Sequence, residues 1–213
     1  MDPSQIEIIT QRMWRDVYSD GGQIHGCAIS AIELACWDIM GKALNKPVYE
    51  LIGGRCHEKL RAYANGWYRG ERTPEAFAKN AKRVIQKGYT ALKFDPFGSG
   101  WRKMDNADED LSIDIVAAVR EAVGPGVDVL VEGHNRFSVE QALRIARRLA
   151  PYNPTWFETP VAPQNISAMV EVARRSPVPI ACGEDYTNKQ QFAELLKHDA
   201  VHILQPEPLN VGG

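Results

Sequence analysis

Hydrophobic and polar positions follow two periodicities along most of the chain. Short runs rich in β-branched and aromatic residues are separated by amphipathic stretches whose apolar residues recur every three or four positions. In Val139–Leu149 the apolar residues follow the spacing of one buried helical face, and Ser138 is placed to cap that helix. The pattern therefore predicts strands that alternate with helices, which is typical of a parallel sheet with helical crossovers.

The alternation begins near residue 59 and predicts an α/β fold. The predicted strands are Leu60–Gly66, Ala91–Phe97, Val127–His134, Thr155–Val161, Val178–Glu184 and Val201–Pro208. The predicted helices are Pro74–Lys87, Leu111–Val123, Val139–Leu149, Ser167–Arg175 and Lys189–Lys197. The preceding segment, Ile6–Gly54, is predicted to be mainly helical. The order of elements alone leaves open a doubly wound sheet and a closed barrel, although no glycine-rich nucleotide-binding motif follows the first strand.

Composition removes several classes of partner. The chain has 213 residues with 25 basic and 27 acidic side chains, so no basic excess is present to neutralise a phosphate backbone. Its first residues are too polar for a signal peptide, and no apolar run reaches membrane-spanning length. The four cysteines lack the CxxC spacing of metal or redox motifs. We expect a cytoplasmic protein with reduced thiols and with neither a nucleic-acid nor a membrane partner.

Acidic residues recur at the ends of three predicted strands. Glu132, Glu158 and Glu184 stand in the segments LVEGH, WFETP and CGED, at intervals of 26 residues. A spacing of one strand–helix unit places them at equivalent heights at the carboxyl edge of the sheet, where barrel active sites lie. Three converging carboxylates repel one another unless a cation neutralises them, and oxygen-only ligation suits Mg²⁺. A single glutamate at a strand end is commonly a capping or salt-bridged residue, but three in register favour a magnesium site.

Other polar residues share this predicted edge. His134 and Arg136 follow the first of these glutamates at intervals of two, so strand alternation points all three side chains to one face. We interpret His134 as a residue within reach of bound substrate, and Arg136 as a candidate substrate ligand with a surface salt bridge as its alternative. Lys93 and Asp95 share a face of the second predicted strand, where they could pair with each other or contact substrate.

One segment carries a family resemblance. Ala28–Gly54, with the sequence AISAIELACWDIMGKALNKPVYELIGG, resembles the signature of the mandelate racemase and muconate lactonizing branch of the enolase superfamily, and the resemblance continues to Gly213. In that family the segment ends a capping domain and leads into a TIM-type (β/α) barrel. The resemblance implies residues 1–58 as the helical remnant of a capping domain, and residues 59–213 as an incomplete barrel with strands one to six.

The family's functional residues carry over to particular positions. The superfamily's magnesium site falls on Glu132, Glu158 and Glu184, with a glutamate at position 132 where the family more commonly has aspartate. The segment VEGHNRF resembles acid-sugar dehydratases of the galactonate type, which implies that His134 protonates the departing hydroxyl. Lys93 keeps the first lysine of the racemases' KxK motif but the second is absent, which argues against racemisation by a lysine of this strand.

Glu207 ends the sixth predicted strand and matches an acid that, in the family, orients a catalytic histidine on strand seven. The family's usual residue there is aspartate. Since this sequence contains neither strand seven nor the β-rich opening part of the capping domain, the resemblance implies a chain truncated at both ends, with impaired activity of its own. An incomplete barrel exposes strand edges, so we expect a homo-oligomer that covers them.

The resemblance implies a Mg²⁺-dependent hydro-lyase that dehydrates an acid sugar, an aldonate or aldarate, to a 2-keto-3-deoxy acid through an enediolate. Three alternatives stay open. One is another enolase-superfamily reaction, such as epimerisation or cycloisomerisation. The second is a Schiff-base aldolase with Lys93 as its nucleophile, which requires a lysine of lowered pKa. The third is a folded but inactive fragment.

Overall fold

A computed structural model of the protein describes residues 1–18 and 21–213. The helices are α1 (Ile6–Arg15), α2 (Gly22–Leu44), α3 (Val48–Leu51), α4 (Pro74–Gln86), α5 (Asn106–Val123), α6 (Val139–Leu149), α7 (Ile166–Arg175) and α8 (Lys189–Lys197), with a 3₁₀ turn at Ala150–Tyr152. The strands are β1 (Ala91–Phe94), β2 (Asp128–Glu132), β3 (Trp156–Glu158), β4 (Ile180–Cys182) and β5 (Ile203–Leu204). They form one parallel sheet in the order β1-β2-β3-β4-β5. The predicted α/β class with parallel strands joined by helices is confirmed.

The prediction of six strands is wrong by one within the described residues. The first predicted strand, Leu60–Gly66, contributes a single parallel bridge between Ala64 and Leu92. The Ala64 N–H donates to Ala91 O over 3.0 Å, and the Lys93 N–H donates to Ala64 O over 2.8 Å. Extended pairing ends there because Gly66 turns into the left-handed region at a φ of 69°, with its N–H bound by the Asn65 side chain.

The helices agree more closely with the sequence than the strands do. Helix α6 spans the predicted Val139–Leu149, and the Ser138 hydroxyl accepts the Gln141 N–H over 3.2 Å, which confirms the predicted cap. Helix α5 begins at Asn106, ahead of the predicted start, because the Asp105 carboxylate caps it by accepting the Asp108 N–H over 2.8 Å. Local spacing and local caps therefore determine these helices.

The chain divides into two compact units. One contains Met1–Leu60, Gly183–Ala193 and Gln205–Gly213, and the other contains Arg61–Cys182 and Glu194–Leu204. In the first unit the buried Ser30 hydroxyl donates to Gly26 O and accepts the Gly212 N–H, each over 2.9 Å, so α2 is tied to the last residues of the chain. The predicted domain boundary at residue 58 stays a prediction.

The second unit contains the whole sheet. Strands β1 and β4 are buried throughout, β2 and β3 are buried after their first residue, and β5 is half-buried; residues such as Leu92, Val131 and Phe157 have no exposed surface. The carboxyl ends of β1, β2 and β3 carry the charged residues described below. None of the helices in the described part of the chain combines the length and hydropathy needed to cross a bilayer.

Candidate active site

Two glutamates lie side by side at the carboxyl ends of β2 and β3. Glu132 is paired in register with Glu158, and each is 1% exposed. The strands approach closely just beyond this pair, where the Gly133 N–H donates to Glu158 O over 2.8 Å. A Cβ at residue 133 would meet that oxygen at 2.9 Å, so only glycine permits this approach. The two glutamates, which occupy equivalent positions in the sequence, are therefore direct neighbours in the sheet.

Lys93 of β1 joins the two carboxylates. Its ammonium lies 3.1 Å from Glu132 Oε2 and 2.7 Å from Glu158 Oε1, and its side chain is 8% exposed. The Trp156 indole N–H donates to Glu158 Oε2 over 2.8 Å. Glu132 Oε1 accepts the backbone N–H of His134 over 2.8 Å. We name this group of Lys93, Glu132, Trp156 and Glu158 the carboxylate cluster.

The charges of the carboxylate cluster do not balance. One ammonium faces two buried carboxylates, so burial and the charge of Glu158 together raise the pKa of Glu132 from its usual 4.5 to about 9. Burial works to lower the pKa of Lys93, but the charges of Glu132 and Glu158 outweigh it and hold that pKa above its usual range. Without a bound cation the cluster therefore holds a protonated lysine and two carboxylates that together retain one proton at neutral pH.

A second set of charged groups lies beside the first. The Asp95 carboxylate, next after β1, is 2.6 Å from His134 Nδ1 and 2.5 Å from an Arg136 nitrogen. The second Arg136 nitrogen donates to the other Asp95 oxygen over 3.0 Å, and the Phe97 N–H donates to the same oxygen over 2.9 Å. Lys93 and Asp95, which the sequence left as a possible ion pair, thus have separate partners.

The His134 side chain lies beside Asp95 for a different reason from the one predicted. Strand alternation was expected to carry its side chain over Glu132, but β2 ends at Glu132. His134 and Asn135 instead take left-handed φ values of 46° and 49°. The Asn135 N–H donates to Thr159 O over 2.7 Å, so contacts with the chain after β3 hold this turn. The orientation of the imidazole is therefore set by this left-handed turn and its contact with the chain after β3, and not by side-chain alternation along β2.

Two predicted site residues belong to the other compact unit. Glu184 lies two residues beyond the end of β4, and its carbonyl accepts the Asn210 side-chain amide over 2.7 Å. The strand stops before it because Gly183 has a φ of 152°, and a Cβ there would lie 2.7 Å from Gln205 O. Glu207 accepts the Leu209 N–H over 3.1 Å. Metal ligation by Glu184 and a catalytic role of Glu207 stay predictions from the sequence.

Two aromatic residues of this site were not predicted from the sequence: Trp156 in the carboxylate cluster and Tyr63 beside it. Trp156 stands two positions before Glu158 and therefore points to the same face of β3, a signal that strand alternation could have supplied. The Tyr63 ring centre lies 5.8 Å from the Lys93 ammonium and 6.0 Å from the Trp156 ring, in an edge-to-face arrangement. No sequence signal indicates Tyr63, because the run that contains it forms only one bridge.

Comparisons with known proteins agree with this geometry. The family model described as enolase C-terminal domain-like matches residues 76–213, and the mandelate racemase / muconate lactonizing enzyme N-terminal domain matches residues 1–53. The D-gluconate dehydratase of Thermoproteus tenax is 37% identical over 213 residues, which cover 100% of this chain and 43% of that protein. The D-gluconate/D-galactonate dehydratase of Picrophilus torridus is 40% identical over 186 residues, which cover 87% of this chain and 48% of that protein.

Solved structures give the same result. A crystal structure of a Mesorhizobium loti protein superposes with a TM-score of 0.96 and 36% identity, and the match covers 100% of this chain and 58% of that chain. The chain spans about half the length of the curated relatives it matches. Because the family models match most of the chain and the buried carboxylates stand at the ends of successive parallel strands, the chain belongs to the mandelate racemase and muconate lactonizing branch of the enolase superfamily.

Proposed function

We propose that this chain forms part of a Mg²⁺-dependent dehydratase that converts an aldonate or aldarate to a 2-keto-3-deoxy acid. The relatives named above as gluconate and galactonate dehydratases support the substrate class. The observation that carries the proposal is the carboxylate cluster, in which two glutamates 1% exposed share a single ammonium. Unpaired charge at this depth is costly unless a cation compensates it.

The donor set fits a magnesium ion. Glu132 and Glu158 offer only carboxylate oxygens, the ligands that hard divalent cations prefer, and when both are ionised their negative charge exceeds the positive charge of Lys93 by one. Glu184 is the proposed third ligand on the strength of its 26-residue spacing in the sequence. When bound, Mg²⁺ would supply positive charge to the substrate carboxylate and so make the α-proton more acidic.

His134 is proposed as the general acid. Dehydration removes the α-hydrogen and the β-hydroxyl as one molecule of water, and the resulting enol tautomerises to the 2-keto-3-deoxy acid. The hydroxyl departs as water only if a proton reaches it, and positioned proton transfer contributes about 10²–10⁴-fold to rate. The His134 imidazole is 45% exposed, so a ring nitrogen can reach a substrate. We also propose that the protein is a homo-oligomer and that Lys93 and Glu207 have catalytic roles.

The Schiff-base alternative receives no support from the surroundings of Lys93. A nucleophilic lysine needs a lowered pKa, whereas the two neighbouring carboxylates raise the pKa of Lys93. An ammonium held at 2.7 Å and 3.1 Å by two carboxylates is also not free to attack a carbonyl. The cation-dependent reaction is therefore the better account of the same residues.

The proposed function is tested by incubating the chain with D-gluconate, D-galactonate and D-xylonate, with Mg²⁺ or with a chelator. Formation of 2-keto-3-deoxy acids is followed by NMR, together with exchange of the α-hydrogen for solvent deuterium. We expect Mg²⁺-dependent substrate binding by calorimetry and slow product formation that His134→Asn abolishes. Binding or turnover that is equal with and without chelator would contradict the proposal, and borohydride trapping of an added 2-keto-3-deoxy acid on Lys93 would replace it with the aldolase.

A further inference from the structure

We propose that Asp95 is a positioning residue for His134, that it fixes the proton of the imidazole on Nδ1, and that Arg136 in turn holds Asp95. The functional purpose of this arrangement rests on the proposed role of His134 as general acid. The arrangement itself does not depend on that role, because it concerns only which ring nitrogen carries the proton in the resting protein. The proposal gives Asp95 and Arg136 a different role from the substrate binding expected from the sequence.

The Asp95 carboxylate has no acceptor capacity left for a substrate. An ionised carboxylate offers about four lone-pair positions. Oδ1 receives the Phe97 N–H over 2.9 Å and one Arg136 N–H over 3.0 Å. Oδ2 receives the other Arg136 N–H over 2.5 Å and faces His134 Nδ1 over 2.6 Å. With four partners and a side chain that is 9% exposed, Asp95 would have to lose an existing bond before it could bind a substrate hydroxyl.

The state of Asp95 decides the state of the imidazole. Burial works to raise the pKa of Asp95, but the hydrogen bonds from His134 and Phe97 and the charge of Arg136 lower it below its usual value. An ionised carboxylate only accepts hydrogen bonds, so a ring nitrogen at 2.6 Å from it must be a donor. Nδ1 therefore carries the hydrogen in the neutral ring, and the general acid would be the imidazolium form, which gives the second proton, held on Nε2, to the leaving hydroxyl. The same carboxylate fixes the plane of the ring.

A second histidine in the same compact unit offers the opposite arrangement. The Ile180 backbone N–H donates to His202 Nδ1 over 3.1 Å, so that nitrogen must be an acceptor and the proton of neutral His202 must lie on Nε2. His134 and His202 are thus predicted to be opposite tautomers. His202 provides a reference inside the same molecule that Asp95 does not touch.

The test is a two-bond ¹H–¹⁵N correlation spectrum of the ¹⁵N-labelled chain at roughly pH 8.5, about two units above the usual histidine pKa. His134→Gln and His202→Gln assign the two rings. We expect the protonated-nitrogen signal of His134 at Nδ1 and that of His202 at Nε2. In Asp95→Ala the His134 signals should exchange positions toward the Nε2–H form, while the His202 signals stay unchanged and show that the fold is intact. Arg136→Met should reduce the Nδ1–H fraction of His134.

Three results would overturn the proposal or part of it. If His134 in the wild-type protein is in the Nε2–H form, the proposal is wrong. It is also wrong if, in Asp95→Ala, the His134 signals do not move while the His202 signals are intact. Unmoved signals in Arg136→Met would remove Arg136 alone. The outcome is separate from that of the proposed function, since Mg²⁺ binding can be lost with the tautomer unchanged, or kept with the tautomer reversed.

Discussion

Two buried glutamates in this protein have opposite electrostatic surroundings. Glu109 of α5 is 2% exposed and faces two guanidinium groups, with Arg144 Nε at 3.0 Å and Arg148 at 2.8 Å from its oxygens. Burial works to raise the pKa of Glu109, but the hydrogen bonds from Arg148 and Arg144 outweigh it and lower that pKa. Glu132, 1% exposed, shares one ammonium with a second carboxylate, and burial together with the charge of Glu158 raises its pKa to about 9.

The difference separates a structural carboxylate from a candidate ligand. Around Glu109 the charges of Arg144 and Arg148 balance those of Glu109 and Asp110, so the buried carboxylate is satisfied inside the protein and ties α5 to α6. Glu132 and Glu158 share one ammonium, so one of them retains a proton, and a divalent cation would take the place of that proton. Burial alone does not mark a functional acid, whereas the local balance of charge does.

Removal of Lys93 should have the largest effect. Lys93→Met leaves two buried carboxylates without the ammonium that they share, and loss of one partner from a buried ion pair costs about 3–5 kcal/mol of unfolding free energy. We expect this loss in the presence of a chelator, with much of it recovered on addition of Mg²⁺. Urea unfolding followed by circular dichroism measures both states. Equal stability of Lys93→Met and wild type in chelator would show that the cluster does not depend on this charge.

Glu109→Gln should destabilise the chain less and without any response to Mg²⁺. The guanidinium groups it leaves are 48% and 34% exposed, so water takes over part of their solvation. We expect a loss of about 1–2 kcal/mol in the same unfolding experiment. A Mg²⁺-dependent recovery as large as that of Lys93→Met would erase the distinction between the two regions.

The two glutamates should also give opposite dependences on pH. Since the pKa of Glu132 is raised on folding, its contribution to stability is complete below about 4.5 and is lost as pH rises toward about 9 in metal-free protein. Since the pKa of Glu109 is lowered, its contribution is present above its unfolded value and is lost as pH falls. Glu132→Gln should flatten the alkaline slope, at most about 1.4 kcal/mol per pH unit, and Glu109→Gln the acid slope.

Trp156→Phe should produce the smallest change. The substitution removes the indole N–H at 2.8 Å from Glu158 and keeps an aromatic ring beside Tyr63. One hydrogen bond contributes about 0.5–1.5 kcal/mol, so Mg²⁺ affinity should fall by roughly 2–10-fold. Trp37→Phe, on the separate unit, is the matched control because its indole bonds Glu33 instead, and it should leave Mg²⁺ affinity unchanged.

Local signals made one part of the fold predictable. Both ends of helix α6 could be predicted correctly because the apolar spacing and the Ser138 cap lie within about a dozen consecutive residues. The first predicted strand failed because sheet pairing needs a partner outside the segment. Leu60, 86% exposed, has no buried face to hold it, and Gly66 leaves the extended region.

The candidate site also has one part that the sequence predicts and one that it does not. The proximity of Glu132 and Glu158 followed from their spacing, because equal positions on successive parallel strands become neighbours. The pairing of Asp95 with His134 could not be found in this way. It depends on a left-handed turn held by contacts with the chain after β3, which no short segment of sequence contains.

The central claim is that the carboxylate cluster binds a divalent cation, and calorimetric titration of the chelator-treated chain with Mg²⁺ tests it most directly. Wild type and Glu109→Gln should bind one Mg²⁺ with equal affinity, whereas Glu132→Gln and Glu158→Gln should each bind at least about tenfold more weakly, a difference of about 1.4 kcal/mol. Equal affinity of all four proteins, or a loss in Glu109→Gln as large as in Glu132→Gln, would contradict the account.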